Sequence, residues 1–165
     1  MTNRGFTILE MIMVILVIGI LAIVIGTDLT ASLRTAKLYA TRYRLACDIM
    51  YAQNCAVTQQ VRHGVIFNPA QNSYAVYRLD NATIVSNPMT QTAFVVNLSN
   101  DTNTQDVDIL STSFGAPTTN QIEFDSYGIP YSNATQALMS PGNVTLRLGA
   151  VTTVVTVTNT TGKVD

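Results

Sequence analysis

From Met11 to Ile25 the chain reads MIMVILVIGILAIVI, fifteen residues with no charge and no hydrogen-bonding side chain. No water-exposed surface carries such a run, so it must be covered by lipid or by other protein. Taken back through Leu9, Ile8 and Phe6, the stretch 6–26 holds 21 residues. As a helix it would measure about 32 Å, close to the ~30 Å hydrocarbon core of a bilayer. The pattern predicts a membrane-spanning helix over 6–26. Its ionised residue, Glu10, stands near the N-terminal end, where a carboxylate costs less than the about 2.5–3.5 kcal/mol assigned to one at the helix centre. A carboxylate inside a membrane segment is a functional candidate by default.

Two ordinary readings of this segment leave features unexplained. A secretory signal has a basic start, an apolar core of about 7–15 residues and a small-x-small cleavage site. Arg4 fits the basic start, but the apolar run is too long, contains Glu10, and lacks a following A-x-A. A plain anchor accounts for length and not for Glu10 or the Gly5-Phe6 junction. The sequence Gly5-Phe6-Thr7-Ile8-Leu9-Glu10, continued by Met11-Ile12-Met13-Val14-Ile15, resembles the N-terminal signature of type IV pilins and type II secretion pseudopilins. That resemblance implies a leader peptide, 1–5, removed by a membrane-embedded prepilin peptidase that cuts between Gly5 and Phe6 and methylates the Phe6 amine. It also gives Glu10 a partner. In a bundle of such helices an unpaired carboxylate is costly, and the Phe6 ammonium of a neighbouring subunit would neutralise it and set axial register.

The helical pattern continues past Gly26. Leu29, Leu33, Ala36, Ala40, Tyr43, Cys47, Met50, Asn54 and Val57 recur at alternating spacings of four and three, and the first proline is Pro69. This predicts one helix from Thr7 to about Gln60, with 27–62 as its amphipathic half and that stripe turned toward a core. Many pilins carry a kinking proline near the place of Thr27 and Asp28; this chain has none. The ionised residues Asp28, Arg34, Lys37, Arg42, Arg44, Asp48 and Arg62 sum to +3, read as a solvated outer face. Cys47 and Cys55, eight residues apart, would lie about 12 Å apart on a helix, too far for a disulfide. Both are expected as small buried side chains.

From His63 to Asp165 the composition turns to Thr, Asn, Ser, Gln and Val, in short runs separated by turn residues. Strands are predicted at 65–67, 74–79, 94–98, 107–110, 122–124, 144–148 and 151–158. In several, alternate residues are apolar: Phe94, Val96 and Leu98; Ile122 and Phe124; Val144, Leu146 and Leu148; Val151, Val155 and Val157. Turns are expected at 68–73, 87–88, 115–117, 127–130 and 141–143, and His63 reads as a cap or turn residue. The expected fold is α+β, a long N-terminal helix packed against an antiparallel, sandwich-like head over 63–165. The stretches Arg44-Leu45-Ala46-Cys47-Asp48-Ile49-Met50-Tyr51-Ala52-Gln53 and Ile122-Glu123-Phe124-Asp125-Ser126-Tyr127-Gly128-Ile129-Pro130, with the ending Thr160-Thr161-Gly162-Lys163-Val164, are similar to the GspH/FimT group of minor pseudopilins and minor pilins.

Composition removes most chemistries. One histidine and scattered glycines supply neither a His-rich metal site nor a phosphate loop. No Ser or Asp has a partner histidine at useful spacing, so neither catalytic residue nor cofactor is expected. The acidic stretch Asp101, Asn103, Gln105, Asp106 and Asp108 lacks the glycine and final Glu of an EF-hand and reads as a solvated loop. Some minor pilins of this group bind DNA through C-terminal basic residues, but here the net charge from position 63 onward is −4, which leaves few phosphate contacts. The expected partners are other pilin subunits, the prepilin peptidase and the bacterial inner membrane, with the head in the periplasm and no small-molecule substrate. Two rivals remain open: a DNA-uptake minor pilin of the same fold, and a membrane-anchored binding module that never polymerises.

Overall fold

The computed structural model describes residues 6–81, 83–115, 120–133 and 136–165, and side chains within these except those of 24–29 and Asn133. The leader 1–5 with Gly5, and residues 116–117 of an expected turn, lie outside the described residues. Two compact units are present, 1–36 and 37–165. Helix α1 spans Ile8–Gln59, as the absence of proline allows. It opens on Thr7, whose Oγ1 accepts from the Glu10 backbone amide at 3.3 Å. It closes where Gln60 turns left-handed at φ 55° and its side-chain amide donates to the freed Val57 carbonyl at 2.7 Å, so that a carbonyl left over at the helix end is satisfied.

In the first unit, every residue of α1 from Ile8 to Ile23 is exposed. Among the described residues, no helix is long and apolar enough to cross a membrane. The apolar run has described side chains only as far as Ile23.

In the second unit, α1 buries Leu38, Thr41, Leu45, Ile49, Ala52, Cys55 and Ala56. These also recur at spacings of three and four, on the side opposite the predicted stripe. Leu38, Leu45 and Ile49 are fully covered, which stabilises the fold by about 1.5–3 kcal/mol each. The expectation that Ala40, Tyr43, Cys47, Met50, Asn54 and Val57 face the head is therefore overturned: all six are exposed. The physical reason is that this helix is apolar on two faces. The head takes the one where alanines let strands approach and branched aliphatics fill the space. For the same reason Cys47 is exposed while Cys55 is buried, and both are free thiols.

The strands are β1 (His63–Asn68), β2 (Ser73–Arg78), β3 (Thr83–Ile84), β4 (Val95–Asn97), β5 (Asp108–Ser113), β6 (Gln121–Phe124), β7 (Pro130–Asn133), β8 (Gln136–Ala137), β9 (Gly142–Leu148) and β10 (Val151–Val157). A larger sheet has the order β3-β2-β1-β6-β7-β8 with β4 also on β2, and a smaller one has β10-β9-β5. All pairs are antiparallel, with Val65 opposite Val76 on one side and Ile122 on the other. Both sheets and α1 share one core, in which Phe67, Phe114 and Tyr74 are in ring contact with one another through Phe67.

All seven expected strands form within a residue or two of their predicted ends, apart from β5, which runs three residues further. Three did not stand out: β3 and β8 are two residues each, and β7 begins at Pro130, the last residue of an expected turn. Val151, expected to point inward, is 44% exposed at the start of β10, where the hairpin has already left the core. His63 is not a turn residue: it begins β1 with its ring fully buried, Nδ1 lying 2.7 Å from the Val61 carbonyl oxygen.

Candidate assembly surface

A subunit that joins others through a helix needs a defined helix start, apolar surface its own fold leaves uncovered, and charges that do not oppose contact. At the start of α1, Thr7 accepts from the Glu10 amide at 3.3 Å through its hydroxyl. Its carbonyl accepts from the same amide at 3.1 Å and from Met11 at 3.2 Å. Thr7-x-x-Glu10 is thus a helix-capping pattern, a signal present in the sequence and overlooked beside the pilin-like motif. Glu10 stands in the first turn, where the helix dipole favours a negative charge. Phe6 is 76% exposed and Glu10 is exposed. A shallow hollow of about 210 Å³ lies between Phe6, Met11, Val14 and Ile15.

In the head-bearing unit, the outward face of α1 is Ala40, Tyr43, Cys47, Met50, Asn54 and Val57, with Tyr43 71% exposed. No member is ionised. The charged residues of this stretch of helix are held by the head instead. Arg42 donates to the Val154 carbonyl at 2.9 Å, Arg44 pairs with Asp101, and Asp48 accepts from the Tyr74 hydroxyl at 2.6 Å. Of the residues expected on a solvated charged face, Arg42, Arg44 and Asp48 are therefore struts to the head, Arg34 is exposed as expected, and the Asp28 side chain lies outside those described. Lower down, the Gln53 side-chain amide donates to the carbonyls of Gly128 at 2.8 Å and Thr161 at 3.1 Å, tying two loops to the helix.

The acidic loop is organised the same way. Asp101 pairs with Arg44, Asp106 with Lys37 and Asp108 with Arg147. The Asn103 backbone amide, then Arg44, holds the Asp101 carboxyl below its ordinary range. Among the described residues no group of three or more His, Cys, Asp or Glu could hold a metal ion. Each remaining Lys and Arg of the head also has a carboxylate: Arg62 with Glu123, Arg78 with Asp80 and Lys163 with Asp165. A groove of about 540 Å³ at the larger sheet, bordered by Ile66, Gln71, Ile84, Val95 and Gln121, is lined by no ionised side chain.

Comparison with known proteins agrees with this architecture. The chain is similar in structure to the minor pseudopilin EpsH from the type 2 secretion system of Vibrio cholerae, at 10% identity and a TM-score of 0.56, covering 78% of this chain and 94% of that one. It is also similar to the type IV minor pilin FimU of Pseudomonas aeruginosa PAO1, at 9% identity and a TM-score of 0.52, covering 79% and 88%. A search of curated protein sequences gave no match. The family model described as type II transport protein GspH matches residues 27–162, the whole second half of α1 and nearly the whole head. With an N-terminal helix, an antiparallel two-sheet head and that match, the chain belongs to the GspH family.

Proposed function

We propose that this chain is a non-enzymatic structural subunit, of minor type, in a type II secretion pseudopilus or a type IV pilus. In this reading the peptidase cuts between Gly5 and Phe6, and segment 6–26 holds the subunit in the inner membrane with its head in the periplasm. The N-terminal helix then packs among those of other subunits, where Glu10 meets the methylated amine of Phe6 from a neighbour. The observation that carries the reading is the amount of apolar helix surface the fold leaves bare: every side chain from Met11 to Ile23, with Ile8 and Leu9 before Glu10, and an uncharged face from Ala40 to Val57. Family membership and the likeness to the minor pseudopilin EpsH and the minor pilin FimU support it.

The test has two arms. Mass spectrometry of the membrane-fraction protein is expected to find a chain beginning at N-methyl-Phe6, and a chain retaining Met1 overturns the processing step. Glu10→Ala is expected to insert normally and to lose incorporation into sheared filaments or pseudopili. Unchanged incorporation overturns the role of Glu10.

A further inference from the structure

We infer that the groove on the outer face of the larger sheet is a binding site for a short neutral saccharide carrying acetamido groups. Its base is one cross-strand row, Gln121 on β6, Ile66 on β1, Ala75 on β2 and Val95 on β4, each opposite the next. Their chain neighbours Ile122, Val65, Tyr74 and Val96 are buried in the core, so strand alternation turns this row away from it. Ala75 is small and covered in the middle of the row, and Ile66 and Val95 stand half-exposed on either side of it, with Ile84 half-exposed nearby. The result is an apolar trough of about 540 Å³, a volume within the range of small-molecule sites.

Three side-chain amides line the trough, and each is held one way round by a neighbour. The Glu123 carboxylate only accepts, so Gln121 turns its amino group to Oε1 at 3.3 Å and keeps its carbonyl oxygen free. Asn120 accepts from the Thr112 hydroxyl at 2.7 Å through Oδ1, which leaves its amino group. The Gln71 backbone amide fixes Asn68 Oδ1 at 3.2 Å, so Asn68 Nδ2 donates to Gln71 Oε1 at 3.0 Å and the Gln71 amino group is left over. Among the described residues these three remaining groups have no partner. The trough therefore offers a set acceptor and two set donors beside aliphatic walls. No ionised side chain lines it, so a charged ligand would lose its water without gaining a counter-charge. The backbone beneath is already paired within the sheet, so a peptide laid there gains no strand ladder. An acetamido sugar answers every element: its carbonyl can accept from Asn120, its N–H can donate to Gln121, its methyl can pack on Ile66 and Val95, and a ring hydroxyl can accept from Gln71.

Titration of the full-length chain, held in a sugar-free detergent, with tri-N-acetylchitotriose tests this, binding being followed by saturation-transfer nuclear magnetic resonance. Saturable binding is expected, about tenfold tighter than to maltotriose, which lacks acetamido groups, and than to trigalacturonate, which is charged. Asn120→Ala and Gln121→Ala are each expected to weaken it about fivefold. Ala75→Leu fills the trough and is expected to abolish it, and Met139→Ala, at an exposed position away from the groove, to leave it unchanged. Gln71→Ala, which removes only the bond to Asn68, is expected to weaken binding in a head that stays folded, and so keeps the test open if Ala75→Leu or Gln121→Ala unfolds. The proposal is overturned by absence of saturable binding, by equal affinity for maltotriose or trigalacturonate, or by Asn120→Ala and Gln71→Ala proteins that both bind like wild type. None of these readouts depends on cleavage after Gly5 or on Glu10, so the assembly reading stands or falls separately.

Discussion

The Tyr77 hydroxyl on β2 donates a 2.8 Å hydrogen bond to Oε1 of Glu123 on β6, across the strand that lies between them. The residue on that middle strand is Gly64, paired with Tyr77 on one side and Glu123 on the other. A Cβ there would sit 2.5 Å from the Ile122 carbonyl oxygen and 3.0 Å from two ring atoms of Tyr77. The missing side chain is what lets the phenol lie over the sheet. Glu123 is 1% exposed, and Arg62, whose guanidinium lies 4.1 Å from the centre of the Tyr131 ring, approaches its other oxygen at 3.9 Å. Burial and then the Glu123 bond push the Tyr77 phenol well above its ordinary range.

Gly64→Ala is therefore expected to destabilise the head by about 1–3 kcal/mol through overpacking against backbone that cannot yield. Glu123→Ala, which leaves the Tyr77 hydroxyl without its acceptor and removes the carboxylate from a half-buried Arg62, is expected to cost about 1–3 kcal/mol, and Glu123→Gln less, since its amide oxygen still accepts from Tyr77. Thermal unfolding of the detergent-solubilised chain, followed by near-ultraviolet dichroism of its tyrosines, reads all three. A Gly64→Ala protein as stable as wild type contradicts the crossing geometry.

The pair of Asp48 and Tyr74 makes a prediction that depends on pH. Tyr74 is 2% exposed, and burial raises the Asp48 carboxyl above its ordinary range, the hydrogen bond from Tyr74 and nearby Arg44 only partly opposing this. The folded chain thus keeps this proton to higher pH than the unfolded chain. The group favours folding most at acid pH, and its contribution falls as pH rises through the folded pKa. Asp48→Asn keeps an acceptor for Tyr74 without the buried charge and is expected to be at least as stable as wild type at neutral pH. Asp48→Ala leaves the phenol without an acceptor and is expected to cost about 1–3 kcal/mol. If Asp48→Asn is as damaging as Asp48→Ala, burial is not the dominant effect.

Opposite behaviour is expected of the acidic loop. The Asp101 carboxyl is held low, first by the Asn103 amide and then by Arg44, so its stabilising contribution is present above the unfolded pKa and is lost as pH falls through the folded one. The ion pairs Lys37–Asp106 and Arg147–Asp108 involve largely exposed carboxylates, so Lys37→Ala is expected to cost no more than about 1 kcal/mol. Adding or chelating Ca²⁺ is expected to leave the unfolding temperature unchanged. A calcium-dependent rise would mean that the loop's carboxylates leave their Arg and Lys partners for a cation.

Much of the fold is legible because it follows from one-dimensional patterns. Helix α1 ends within a residue of expectation because nothing before Pro69 interrupts it, and β9 is recognised from the alternation of Val144, Leu146 and Leu148. What is hidden depends on partners distant in sequence. Two faces of α1 carry apolar residues at helical spacing, and only the head determines that Leu45 and Ile49 turn inward while Tyr43 and Met50 turn out. Glu123, between Ile122 and Phe124, reads as a solvent-facing residue until Tyr77 arrives from β2 and Arg62 from the segment just before β1. At the helix start, Phe6 and Glu10 were legible as a motif, while the capping role of Thr7, signalled by its spacing to Glu10, emerged only from the hydrogen bond between them.

Gln53 supports the last prediction. Its amide donates to the carbonyls of Gly128 and Thr161, fastening the loop after β6 and the C-terminal turn to α1. That turn is closed by backbone bonds between Thr158 and Lys163 and between Thr156 and Asp165, each 2.8–2.9 Å. Gly162 sits in it at φ 68°, where a Cβ would lie 2.5 Å from the Gln53 amide nitrogen and 2.7 Å from the Gly128 carbonyl oxygen. Gly162→Ala meets both a left-handed backbone and a backbone clash, and is expected to lose about 1–3 kcal/mol and to release the C-terminal residues. Gln53→Ala, which leaves two carbonyls near water, is expected to cost about 1 kcal/mol. Limited proteolysis near Thr160 checks the mechanism. Both variants should be cut there faster than wild type while cleavage elsewhere in the head is unchanged, and uniform acceleration would show a general loss of stability instead of a loosened clasp.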